Sequence, residues 1–77
     1  DIAYEVLRRG GTAACTMNGA NEVAVAAFLG HKCAYSDIVG AIRYAIERAT
    51  FVARPTLADY DEANSEARRL ANEYLKL

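Results

Sequence analysis

From Ala13 to Leu29 only Asn18, Asn21 and Glu22 interrupt a run of apolar and small side chains. Nearly every direction around a 3.6-residue turn is therefore apolar, the pattern of a helix enclosed by others. This run predicts a central helix. Its three polar exceptions stand at i, i+3 and i+4 and share one face. The flanking segments are amphipathic. Asp1 to Arg9 gathers Ile2, Ala3, Val6 and Leu7 on one face and puts Arg8 and Arg9 in the last turn, where the helix dipole favours cations. After Ser36, a good N-cap, Ile38, Ile42, Ala45, Ile46 and Ala49 recur at helical spacing, with Arg43, Glu47 and Arg48 off that stripe. A last helix carries Leu57, Tyr60, Ala63, Ala67, Leu70, Ala71 and Tyr74 on its apolar face. Thr56 with Asp59 approximates a capping box at its start, and the weaker helix formers of Asp61 to Asn64 leave a break near Asp61 open.

The breaks between these patterns are equally readable. Gly10 is expected as the left-handed residue closing the first helix, Gly11 reverses the chain, and the Thr12 hydroxyl is expected to cap the central helix. Gly30 ends that helix. Pro55 disfavours helix at Arg54, which makes Thr50 to Pro55 the one loop of any length, with Phe51 and Val52 tucked against the core. Gly19, inside the central helix, costs up to about 1 kcal/mol relative to alanine, and its return is close helix approach. The expectation is an all-α fold, a compact four-helix bundle in a single domain spanning residues 1–77, with brief loops that favour antiparallel neighbours.

Size and charge narrow the reading. A chain of 77 residues buries only about 60% of the surface its unfolded form exposes, so its stability alone is marginal. The hydrophobic share of 53% is largely alanine, and no window approaches the roughly 18 unbroken apolar residues of a membrane span. No basic segment precedes an apolar one in the manner of a secretory signal. Nine basic against ten acidic residues offer no footprint for a phosphate backbone, so nucleic acid is not expected as a partner, and neither is a membrane. Asp1 opens the chain and the single methionine is Met17, which suggests a piece excised from a larger protein.

Candidate chemistry is sparse. Cys15 and Cys33 are too few for a disulfide framework and read as two thiols in a reducing compartment, with a bridge between them left open. His31 and Cys33 form a His-x-Cys pair without a third ligand. A double glycine before a helix could cradle phosphate. Here no Gly-x-Gly-x-x-Gly, no Walker lysine and no preceding strand supports that, and the turn-and-cap reading stands. Glu22 flanked by Asn18 and Asn21 could act as a base in principle, but a helical chain this short offers little room for a substrate pocket. The preferred reading is a hydrogen-bonded network that fixes connections between helices. A further reading is that this face meets a part of the protein outside the chain. No catalytic, cofactor-binding or metal-binding residue is expected.

The stretch Gly10-Gly11-Thr12-Ala13, followed by Asn18 and by Asn21 to Leu29, resembles the C-terminal helical domain of 1-deoxy-D-xylulose 5-phosphate reductoisomerase. The resemblance continues through Ser36-Asp37-Ile38, Pro55-Thr56-Leu57, Asp61-Glu62-Ala63 and Ala67-Arg68 in one order without large insertions. The family usually has proline where Ala14 or Cys15 stands and alanine where Gly19 stands. The resemblance implies a cytoplasmic, homodimeric parent enzyme of the methylerythritol phosphate pathway of isoprenoid precursor synthesis. That parent would use NADPH and a divalent cation, Mg or Mn, to convert its ketose phosphate to 2-C-methyl-D-erythritol 4-phosphate. The present piece would be a noncatalytic, inactive structural domain whose partner is the remainder of the parent. The family's nucleotide-binding, metal-binding and phosphate-binding residues have no matching positions here. Only the structural positions Gly10, Gly11, Asn18, Asn21 and Glu22 carry over. The alternative is a stand-alone helical interaction module, and the coding sequence upstream of Asp1 separates the two.

Overall fold

A computed structural model describes residues 1–77, and it contains four helices and no strand. They are α1 (Ile2–Arg9), α2 (Ala13–Leu29), α3 (Ser36–Arg48) and α4 (Leu57–Leu75). The all-α expectation holds. Helices α2, α3 and α4 pack mutually, and α1 lies against α2. Contacts between α2 and α4 rise together in sequence, Cys15 with Tyr60 and Glu22 with Arg68, so these two helices run parallel. Contacts to α4 from α3 and the residues after it run the other way, Tyr44 with Glu73 and Thr50 with Glu66, so α3 is antiparallel to both. The core is built on Ala20, Ala24, Ala41, Ala45, Leu70 and Ala71, rimmed by Val23, Ile38 and Ile42. Small side chains at its centre let three backbones approach closely. Gly19 is the extreme case: a Cβ there would stand 2.8 Å from Asn64 Oδ1 and 3.2 Å from Ala67 Cβ.

Burial is narrower than the apolar pattern suggests. On α2, Ala13, Thr16, Gly19, Ala20, Ala24 and Ala27 are buried, but Ala14, Asn18, Glu22, Ala26 and Leu29 are exposed. The expected full enclosure is corrected to a helix covered on part of its circumference, because its three neighbours do not close around it. Of the expected α1 face only Val6 is buried; Ile2 is half-buried, and Ala3 and Leu7 face solvent, since α1 has too few neighbours to cover a broad stripe. The α4 face reduces to Ala63, Ala67, Leu70 and Ala71, with Leu57, Tyr60 and Tyr74 exposed. On α3, Ala41 joins Ala45 in the core, and the expected isoleucines are half-buried around them.

Helix ends show where local rules held and where they yielded. Thr56 and Asp59 form the full capping box, 3.1 and 2.9 Å, and α4 continues unbroken through Asp61. Gly10 has positive φ (66°) but ψ of −148°, so it is extended rather than left-handed helical. Gly11, at φ +53°, leaves no room for a side chain, because a Cβ would meet the Val52 carbonyl oxygen at 2.2 Å. Thr12 does not cap α2. Its backbone is already helical, and its buried hydroxyl accepts from the Val52 N–H at 3.0 Å. Ser36 is the first residue of α3 rather than its cap; the Asp37 carboxylate accepts from the Ala34 N–H at 2.8 Å instead. Gly30 keeps negative φ (−85°), and His31 takes the left-handed position at φ 61°. The Lys32 N–H reaches the Ala27 carbonyl at 2.8 Å and the His31 N–H reaches Phe28 at 3.0 Å, a Schellman motif displaced one residue past the glycine. Phe51 is 38% exposed, with the Arg9 guanidinium 4.4 Å from its ring centre, and Val52 is half-buried.

Candidate functional site

The polar face of α2 meets α4 at one point. Arg68 Nη2 donates to Glu22 Oε1 at 2.5 Å, Arg68 Nε donates to Asn64 Oδ1 at 3.3 Å, and Asn72 Nδ2 donates to the Arg68 carbonyl at 2.9 Å. Glu22 thus anchors a short ladder along α4. Both charged side chains are about half exposed, 42% for Arg68 and 54% for Glu22, so water screens the pair. Asn18 is exposed and Asn21 half-buried, and neither amide enters the hydrogen bonding within the chain. Gly10 and Gly11 lie apart from these three, at the α1–α2 turn against Val52. The five positions singled out in the sequence therefore occupy two places, a turn and a helix face.

Neither thiol pairs with the other. The Cys15 thiol donates to the Tyr60 carbonyl at 3.3 Å, and the Cys33 thiol lies 3.8 Å from the Ala24 carbonyl. Ala24 stands about 13 Å further along the helix axis than Cys15, well beyond the reach of a disulfide. No group of three His, Cys, Asp or Glu side chains could hold a metal ion. The largest cleft, about 490 Å³, is lined by Thr12, Thr50, Asp59, Asp61, Glu62 and Glu66. Two of its carboxylates already serve the fold, Asp59 in the capping box and Glu66 accepting from the Thr50 N–H at 2.8 Å.

A second polar cluster escaped the sequence reading. The Tyr44 hydroxyl donates to the Glu73 carboxylate, the Arg48 guanidinium lies 3.8 Å from the Tyr44 ring centre, and the Tyr74 ring packs 5.3 Å away. The Glu73 hydrogen bond pushes the Tyr44 phenol above its ordinary 10.0; desolvation and the Glu73 charge act the same way, while Arg48 and Arg69 oppose them. Gly40 makes room for the Tyr74 hydroxyl, 2.2 Å from where a Cβ would stand. The signals available were the i, i+4 spacing of Tyr44 and Arg48 and an unexplained glycine inside a helix.

Residues 1–70 match the family described as the DXP reductoisomerase C-terminal domain. The chain belongs to that family. Among its curated relatives, the 1-deoxy-D-xylulose 5-phosphate reductoisomerase of Bacteroides thetaiotaomicron is 45% identical over 74 residues, covering 96% of this chain and 19% of the relative. The reductoisomerase of Caulobacter vibrioides is 42% identical over 78 residues, 94% of this chain and 20% of the relative. That of Methylococcus capsulatus is 36% identical over 74 residues, 96% and 19%. No solved structure matches the chain. The chain spans about a fifth of the length of these relatives. Its Gly-Gly-Thr-Ala motif forms the α1–α2 turn and the start of α2, and the stretch from Asn21 to Leu29 forms the second half of α2. No helix of the domain is long and apolar enough to cross a membrane.

Proposed function

We propose that this domain is the noncatalytic helical brace of a 1-deoxy-D-xylulose 5-phosphate reductoisomerase. The observation that carries the reading is the family match along 1–70, joined to relatives that carry this domain as a fifth of a longer enzyme. The whole enzyme is a cytoplasmic homodimer that uses NADPH and a divalent cation, Mg or Mn, to form 2-C-methyl-D-erythritol 4-phosphate for isoprenoid precursors. The residues of this chain do not fit either group. They offer no set of three ligands for the cation and no Gly-x-Gly-x-x-Gly for the dinucleotide. Both belong to the remainder of the polypeptide, and no chemical step passes through the present residues.

What this chain supplies is position. A rigid three-helix core, with the α1–α2 turn tied to the α3–α4 loop through Thr12 and Val52, holds a fixed surface against the reacting part of the enzyme. A misplacement of 1 Å at a catalytic centre can cost about 100-fold in rate, which is the scale of effect a brace can have. The test compares NADPH oxidation, with 1-deoxy-D-xylulose 5-phosphate as substrate, by the full polypeptide and by one truncated before Asp1. The full polypeptide turns over and the truncated one loses activity by at least about 100-fold. A full polypeptide inactive on that substrate, or a truncated one as active as the whole, overturns the reading. The stand-alone interaction module has no observation in its favour that the brace does not share.

A further inference from the structure

Each helix except one turns a charged face to water. α3 presents Arg43, Glu47 and Arg48, and α4 presents Asp61, Glu62, Ser65 and Arg69. α1, short as it is, exposes Glu5, Arg8 and Arg9. The outward face of α2 instead carries Ala14, Asn18, Glu22, Ala26 and Leu29, with Val25 half-buried among them and Leu29 70% exposed. Its one charge, Glu22, is already matched by Arg68 at 2.5 Å, so the face presents no uncompensated ion to whatever covers it. Asn18 stands in it with an amide that makes no hydrogen bond inside the chain, one donor-and-acceptor group available to an incoming surface. This composition, apolar with polar groups few and neutral as a set, is that of an interface core rather than of a solvated helix.

The family match indicates what can cover it. The matched domain is the C-terminal one of its family, and it makes up 19–20% of the relatives that contain it. About four-fifths of such a polypeptide lies outside the matched stretch, and a C-terminal domain leaves most of it upstream. Resting on the reading under Proposed function, we infer that the α2 face from Ala14 to Leu29 is seated against the upstream part of the same polypeptide. The surface opposite is apolar, with a polar group placed for Asn18. The sequence pattern of α2 is then self-consistent. It is a helix enclosed on all sides, with α1, α3 and α4 on three of them and the preceding region on the fourth.

Access to single thiols in the native full polypeptide tests this. In a background carrying Cys15→Ala and Cys33→Ala, Ala14→Cys and Ala26→Cys are compared with Ser65→Cys, on the solvated side of α4, in reaction with a maleimide. The two α2 thiols react at least about tenfold more slowly than the α4 thiol in the native protein, and all three react alike in denaturant. Equal native rates overturn the assignment. Protection that disappears when the oligomer is diluted to single protomers assigns the face to a second copy and also overturns it. The readout is access, not turnover. An active polypeptide with freely labelled α2 thiols defeats this inference and leaves the reductoisomerase reading standing, whereas protected thiols in an inactive polypeptide do the reverse.

Discussion

Thr12 and Val52 exchange two hydrogen bonds across forty residues of chain. The Thr12 N–H donates to the Val52 carbonyl at 3.0 Å and the Val52 N–H donates to the Thr12 hydroxyl at 3.0 Å. This pair fastens the turn before α2 to the loop before α4, and Thr12 is only 1% exposed. Thr12→Val keeps the shape and removes the acceptor, leaving a part-buried N–H unpaired. The expected loss is about 1–3 kcal/mol of stability, with Thr12→Ser retaining most of it, read from the denaturant midpoints of the three proteins.

Two glycines that make room for oxygen atoms differ in what they face. Gly11 is at φ +53° with a backbone carbonyl 2.2 Å from a would-be Cβ, so Gly11→Ala combines strain with an immovable clash. It should cost more than about 2 kcal/mol. Gly40 faces the end of the exposed Tyr74 side chain, which can swing away. Gly40→Ala should stay within about 1 kcal/mol of the parent, because the gain in helix propensity offsets the lost contact. Thermal unfolding of the two variants side by side checks the contrast.

His31 holds the left-handed position of the α2 Schellman motif at φ 61°, a conformation that favours glycine. His31→Gly should stabilise by about 0.5–1 kcal/mol, net of the extra entropy glycine loses on folding. Gly30, at φ −85°, uses none of its conformational freedom. Gly30→Ala should therefore be neutral to slightly stabilising. Unchanged or lowered melting in His31→Gly would contradict the assignment of the cap.

The Tyr44 phenol is raised above 10.0 by its hydrogen bond to Glu73. A group whose folded pKa exceeds its unfolded value contributes stability that is complete below the unfolded value and is lost as pH rises through the folded one. The Tyr44 contribution is therefore whole below pH 10 and disappears above it. In a phenolate absorbance titration, the Tyr44→Phe protein should lack a late-titrating tyrosine seen in the parent, and Glu73→Gln should move that transition back toward 10.0.

Glu22→Ala should cost less than about 1 kcal/mol, and added salt should shrink the difference further, because the pair with Arg68 is half-exposed. The larger loss of about 1–3 kcal/mol that follows from stripping the partner from buried donors applies only where those donors lie out of water, and here they do not. Denaturant melts at low and high salt decide it.

The helices and several of their ends were legible because they rest on neighbours in sequence. The capping box of Thr56 and Asp59 needs only a spacing of three, the stripe of Ile38, Ile42 and Ala45 only a period, and Gly19 only its misfit within a helix. The resemblance carried by Gly10 to Ala13 and Asn21 to Leu29 pointed to the right family for the same reason, being a matter of residues in order. The functions of individual polar groups were less accessible. Thr12 is spaced to cap α2, and nothing local reveals that Val52 competes for its hydroxyl. Glu22 shares a face with Asn18 and Asn21, yet its partner is Arg68, 46 residues away.

The sequence by itself determined that this protein is helical, where its helices run, and which family it joins, since each depends on local periodicity or on the linear order of motifs. Only the tertiary structure decided how much of each apolar face is covered. Val6 alone anchors α1, and the apolar stripe of α4 narrows to four buried residues. The outward face of α2 is left open between Ala14 and Leu29. Burial depends on how many neighbours surround a helix, and that number is a property of the packed assembly rather than of any one segment.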